Sequence, residues 1–291
     1  MMRVPVNDLV FDVDVAGPEE GATVLLLHGF PHSRESWTDV APLLHRAGLR
    51  TVAPDQRGYS PGARPEAVEA YALPELGADA LGLLDALGVR AAHVVGHDWG
   101  AVVGWYLAAR FPQRVRSLTA VGFPHLDAYR CALRVDPEQR LHSGYLATLS
   151  AVDAADSFLA DDAAGLVGWY RQSEGALSEE QIARYVRTHT RPGTLRAALK
   201  WYRAGTLQND GEPLGPVTVP TTHIWSENDP AVGLFAAERT ADQVTGEYRF
   251  VRLPGVSHWQ PQQVPDRIAA EILDRADRAD RADRADRADR T

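Results

Sequence analysis

Six short apolar runs constrain this 291-residue chain more than any other feature. They fall at residues 23–27, 50–53, 92–95, 115–121, 221–225 and 248–253, and each ends in a glycine, a proline or a polar loop. Val- and Leu-rich runs this short suit strands covered on both faces, as in a parallel sheet. Helical stretches at 37–47, 75–87 and 101–109 separate them, and strand–helix alternation predicts a largely parallel, doubly covered α/β sheet. Upstream, Val4, Val6, Leu9, Phe11, Val13 and Val15 alternate with polar neighbours, the pattern of an edge strand or hairpin.

One interval breaks the rhythm. Residues 126–216 hold no convincing strand but do hold helical segments at 137–150, 154–159, 163–170, 179–189 and 192–204. The expected organisation is a core in two parts, 1–125 and 217–274, with a helical cap at 126–216 inserted between them. The remainder, 275–291, repeats Arg-Ala-Asp five times before Arg290 and Thr291. Asp274 and Arg278, then Asp277 and Arg281, stand acid-first at i,i+4, which favours a helix. The repeat offers nothing obvious to bury, so a solvated, frayed end is the expectation.

The chemistry concentrates at Gly96-His97-Asp98-Trp99-Gly100, between the run at 92–95 and the helical stretch at 101–109. A sharp strand-to-helix turn needs small residues two positions either side of its centre, and it lifts the central side chain above the sheet. The usual occupant is serine; here it is Asp98. A carboxylate is a poor nucleophile toward acyl carbon but displaces leaving groups from saturated carbon, leaving a covalent alkyl ester. The bland alternative is a Gly-rich turn with a capping aspartate. Two partners are needed in the order nucleophile, acid, histidine. His258 lies just past the last apolar run, and Asp229 follows the run at 221–225, with Glu227 the alternative acid. His258 would activate water while Asp229 fixes its tautomer. The loop His28-Gly29-Phe30-Pro31 follows the first buried run, so the backbone N–H groups of Phe30 and Trp99 are the expected oxyanion hole. His28 reads as structural.

Other classes are disfavoured. The net charge of −9 supplies no basic face for nucleic acid. The single cysteine, Cys131, forbids an internal disulfide and suits a reducing cytoplasm. The N-terminal residues lack an apolar signal region, and no stretch reaches membrane-spanning length. His28 and His32 are four apart but share no acid partner, so neither a metal nor another cofactor is expected. The expected partner is a small apolar substrate, with the protein a monomer or homodimer.

Taken together, His28-Gly29-Phe30-Pro31, the 53–60 segment Ala-Pro-Asp-Gln-Arg-Gly-Tyr-Ser, Gly96-His97-Asp98-Trp99-Gly100 and the spacing to Asp229 and His258 resemble the soluble α/β-hydrolase epoxide hydrolases. The likeness spans nearly everything except the repeat. It implies cap tyrosines that hydrogen-bond the epoxide oxygen: Tyr202, in Lys200-Trp201-Tyr202-Arg203, and Tyr145, with Tyr170 and Tyr185 in reserve. Phe30, Trp99, Phe123, Trp169 and Trp201 are the expected substrate-binding aromatics, with Trp105 a further candidate; Asp55 and Arg57 are expected to be loop scaffolding. Haloalkane and haloacid dehalogenases use similar machinery, with Trp99 and a second N–H donor such as Trp169 or Trp201 holding halide. A biosynthetic enzyme closing the reaction with an internal hydroxyl, and a non-catalytic binding module, are the remaining alternatives.

Overall fold

The computed structural model describes residues 1–208 and 211–288. Its strands are β1 (Met2–Val6), β2 (Leu9–Ala16), β3 (Thr23–Leu27), β4 (Arg50–Pro54), β5 (Ala92–His97), β6 (Val115–Val121), β7 (Thr221–Asn228) and β8 (Tyr248–Ser257). They form one eight-stranded sheet in the order β1-β2-β4-β3-β5-β6-β7-β8. All six apolar runs are strands. The alternating N-terminal segment is an antiparallel hairpin, turned by Asn7 and Asp8 at φ 48° and 63°. A turn with two left-handed residues matches the natural twist of paired strands. β2 pairs antiparallel with β4, and the ladders from β4 through β8 are parallel.

The helices are α1 (Ala41–Arg46), α2 (Leu73–Ala86), α3 (Trp99–Arg110), α4 (Leu126–Val135), α5 (Pro137–His142), α6 (Tyr145–Ser150), α7 (Ala154–Tyr170), α8 (Glu179–His189), α9 (Thr194–Ala198), α10 (Lys200–Arg203), α11 (Leu234–Arg239), α12 (Gln260–Gln263) and α13 (Pro265–Ala288). Alternate strand residues enter different layers, as a pleated strand requires. Leu25, Leu27 and Val94 join α2 and α3 in one apolar cluster. Val24, Leu26 and Val95 join Leu44 of α1 and Ile268 and Ile272 of α13 in the other. That double cover is why the central strands read as unbroken apolar runs.

Three helical expectations are modified. The stretch 37–47 opens as a 3₁₀ turn at Arg34–Trp37, and α1 starts only at Ala41. The stretch 137–150 is broken between α5 and α6 at Ser143 and Gly144, and 192–204 is broken at Leu199. The pieces at 154–159 and 163–170 are two helical segments as expected: within α7 the backbone leaves the helical conformation at Ala160–Ala163, where Asp161, Asp162 and Ala163 take positive φ. α4 has no counterpart among the sequence expectations; it packs on α11 of the core. Among the described residues, no strand lies between β6 and β7.

The repeat corrects a further expectation. It does not begin as a frayed end: α13 continues through it to Ala288. Arg275 is fully buried, donating to Thr222 Oγ1 at 3.0 Å, and Ala276 and Ala279 are buried beside it. Asp280 pairs with Arg116 at 2.6 Å.

Candidate active site

The elbow follows from sterics. Asp98 has φ 53° and ψ −119°, a conformation L-residues rarely adopt. Its N–H donates to Val121 O at 3.0 Å, and its carbonyl accepts the first turn of α3. A Cβ at Gly96 would lie 2.1 Å from Gly100 O, and one at Gly100 would lie 2.0 Å from Leu27 O. Only glycine lets the strand and helix cross there. A Cβ at Gly29 would lie 2.4 Å from Asp98 Oδ1, so the loop after β3 can close over the carboxylate only because Gly29 has no side chain.

That closure builds the expected hole. Phe30 N–H donates to Asp98 Oδ1 at 2.8 Å, and the Trp99 N–H also bonds the carboxylate. The Phe30–Pro31 peptide is cis. Oδ1 is thereby engaged, leaving Oδ2 as the edge that faces His258 Nε2 at 3.7 Å. His258 Nδ1 lies 2.9 Å from Asp229 Oδ2, and Asp229 Oδ1 accepts from Ala231 N at 2.8 Å. Glu227 turns outward instead and pairs with Arg252. The three expected residues therefore meet in one line, nucleophile to base to acid.

Their electrostatics are coupled. Burial raises the Asp98 carboxyl above its ordinary range; His258 and the two backbone donors oppose it. Burial acts to lower His258, but Asp229 and Asp98 together outweigh it and push the imidazole up to about 9. His28 is neutral: burial brings it down to about 3 despite its bond to Gly29 O. Its Nε2 accepts from Gln56 N at 3.0 Å while Nδ1 bonds Gly29 O at 2.9 Å, a single tautomer that pins the loop. Asp55 pairs with Arg34, and Arg57 with Asp79 at 2.6 Å, in keeping with scaffolding.

A cavity of about 270 Å³ opens on Asp98 and His258 and is walled by Phe30, Tyr145, Trp169 and Tyr202. The Tyr145 and Tyr202 rings stand 6.3 Å apart, and Tyr202 packs edge-on to Phe30 and Trp99, each at 5.2 Å. Burial raises both phenols well above their ordinary value, so they remain protonated donors. Three expected substrate contacts stand behind this wall. The Trp99 indole is buried beneath Tyr202; Phe123 packs on Tyr129 at 4.8 Å; Trp201 donates from Nε1 to Arg57 O at 2.9 Å. Each ring packs against its neighbours rather than walling the cavity, and the Trp201 N–H is spent on Arg57 O. Trp105 is likewise engaged, its Nε1 donating to Phe123 O at 3.0 Å. Tyr170 donates to Pro31 O and the Tyr185 hydroxyl accepts from Gln262, so neither reserve faces the cavity.

The structure adds residues that sequence reading missed. Tyr129 bonds Ser143 at 2.8 Å and Tyr145, against burial that drives it to about 12, so it backs the Tyr145 hydroxyl. His97 Nε2 lies 2.9 Å from His258 O and 2.8 Å from Gln260 Oε1. His97 was visible as the variable position of the elbow motif; Gln260 and Tyr129 carry no signal without coordinates. Among the described residues, no group of three or more His, Cys, Asp or Glu could hold a metal, and no helix is long and apolar enough to cross a membrane.

Residues 22–261 match the alpha/beta hydrolase fold family. Epoxide hydrolase A of Mycobacterium tuberculosis is 32% identical, with 93% of this chain and 95% of that protein covered. The AB hydrolase superfamily protein YfhM of Bacillus subtilis is 31% identical, with 93% and 96% covered. Among solved structures, epoxide hydrolase A of Mycobacterium thermoresistibile superposes with a TM-score of 0.80 at 29% identity, covering 94% of this chain and 96% of that one. A mutant epoxide hydrolase of Bacillus megaterium superposes at 0.85 and 25% identity, with 94% and 99% covered. An elbow that carries aspartate where serine is usual is in keeping with those relatives, and the chain belongs to the alpha/beta hydrolase fold family, on its epoxide hydrolase branch.

Proposed function

We propose that this chain hydrolyses epoxides of small apolar molecules through an ester on Asp98. The observation that carries the reading is the division of labour on one carboxylate that lines the cavity: Oδ1 is held by Phe30 N–H at 2.8 Å while Oδ2 faces His258. Tyr145 and Tyr202 donate hydrogen bonds to the epoxide oxygen. Asp98 Oδ2 attacks a ring carbon, the C–O bond breaks, and the alkoxide takes a phenolic proton. The ester carbonyl oxygen is then Oδ1, already seated in the hole.

Alkylation also prepares the second step. It removes the negative charge of Asp98, one of the two anions holding a proton on His258, so the imidazole gives up that proton, which returns through solvent to the tyrosinate left by ring opening, and becomes a base. His258 then takes a proton from water, whose oxygen attacks Cγ of Asp98. The Phe30 and Trp99 N–H groups stabilise the tetrahedral oxyanion; collapse expels the alkoxide, which takes the proton from His258 to give the diol, and the carboxyl proton of Asp98 then passes to His258, restoring the carboxylate.

Residues 126–216 serve as the lid in this scheme, contributing Tyr145, Trp169 and Tyr202. Asp229 orients His258. The single cysteine suits work in a reducing cytoplasm.

The test is trapping. His258→Gln, given an aryl epoxide, should accumulate a substrate-derived mass on the peptide holding Asp98. Reaction without modification of Asp98 would sink the covalent mechanism. In a single turnover of the unaltered enzyme in ¹⁸O-water, the label should enter Asp98 rather than the diol.

A further inference from the structure

The hydrogen bonds around His258 form a closed ring. The His258 carbonyl can only accept, so His97 Nε2, 2.9 Å away, must carry the hydrogen. The same N–H faces Gln260 at 2.8 Å, which requires the amide oxygen on that side. The amide nitrogen then points the other way, donating to Ser226 Oγ and toward Asp229 Oδ2 at 3.4 Å. Ser226 is free to accept because its own hydrogen goes to Ser257 O at 2.8 Å. Asp229 Oδ2 is also the oxygen that binds His258 Nδ1, which returns the ring to its start.

A flipped Gln260 amide would set an oxygen against the Asp229 carboxylate and an NH₂ against the His97 N–H. Both ends forbid it, so the amide has one orientation. Gln260 is fully buried and lies against Gly122 (φ 80°), where a Cβ would fall 3.3 Å from both amide atoms. The cradle is shaped for this side chain.

We infer that Gln260 is a positioning residue for the hydrolytic half of the reaction, holding Asp229 Oδ2 in line with His258 and moderating its grip on the imidazole proton. This rests on the proposed two-step mechanism. Two donors share one carboxylate oxygen; removing the Gln260 donor leaves Asp229 a stronger acceptor for the His258 proton. Deprotonation of His258, needed after ester formation, is then harder. The ionisable groups facing His258 are Asp98 and Asp229, with His97 and His32 behind it. Burial brings His97 down to about 3, so it adds no titration near neutrality.

The experiment uses Gln260→Met, which keeps volume and removes both contacts. With styrene oxide as probe, pre-steady-state tryptophan fluorescence separates ester formation from hydrolysis. A lost hydrogen bond to a charged group corresponds to about a tenfold effect. The expected result is kcat and KM both lowered about tenfold, kcat/KM within about twofold of the unaltered enzyme, and the acid limb of kcat displaced to higher pH. A merely structural glutamine would lower stability and active fraction without moving that limb. If Gln260→Met does not fold, Gln260→Glu carries the same expectation, because an anion beside Asp229 tightens the hold on the proton. An unmoved limb, or kcat/KM falling as far as kcat, overturns the inference. Failure of the ester to form on Asp98 in the His258→Gln variant would instead overturn the mechanism beneath it.

Discussion

Replacing Asp98 by Asn imitates the charge state of the ester without substrate. The side chain keeps its shape and its elbow, but the anion 3.7 Å from His258 Nε2 is gone. Two unit charges at that separation interact by about 4 kcal/mol at an effective dielectric of roughly 20. Because the charge is shared with Oδ1, about half of that, roughly 2 kcal/mol, is the expected loss. At about 1.4 kcal/mol per pH unit, the His258 midpoint should drop by roughly 1.5 pH units from its raised position near 9. Histidine side-chain NMR across pH 5 to 10 reads this directly. The stability curve gives a second reading. A raised midpoint means that the stabilisation from protonated His258 is fully present below the unfolded midpoint near 6.5 and is lost as pH rises through about 9. Asp98→Asn should therefore flatten the alkaline end of that decline. A His258 midpoint that stays near 9 in the variant would refute the claim that ester formation releases the base, since Asp229 alone would then be holding the proton.

Two further outcomes are expected. Tyr202→Phe and Tyr145→Phe should each slow ester formation about 10- to 100-fold, and the double variant should nearly abolish it, measured by rapid mixing with an aryl epoxide; a double variant no worse than either single one would assign the proton to another donor. Ending the chain after Asp274 removes Arg275, the buried Ala276 and Ala279 and the Asp280–Arg116 pair, and should cost about 2–4 kcal/mol in urea unfolding, whereas ending it after Ala285 should change stability by less than about 0.5 kcal/mol.

The sheet was legible because double burial forces apolar runs, and each of the six runs became a strand, although β7 and β8 run three and four residues past their expected ends. The elbow was legible because its crossing tolerates only glycine at 96 and 100. Helix breaks were harder. Ser143 and Leu199 interrupt helices without a proline, where tertiary packing overrides local preference. α4 was missed because it opens on His125 rather than a Ser, Thr, Asp or Asn cap. The aromatic wall misled for a different reason. Composition shows that Trp201 and Phe123 are apolar, but not that the Arg57 carbonyl and the Tyr129 ring claim them. Gln260 was invisible because its importance lies in which atoms face it, not in its type.

The tail helix has a consequence of its own. A three-residue unit on a helix of 3.6 residues per turn swings its alanine backward by roughly 60° at each copy. Ala276 and Ala279 therefore press on the sheet, while Ala282 and Ala285 have already rotated into solvent. The first copies are anchored, whereas Ala282 and Ala285 add nothing to the core. Lengthening or trimming the far end should leave the enzyme indifferent, so copy number is a quantity that selection on the core would scarcely notice.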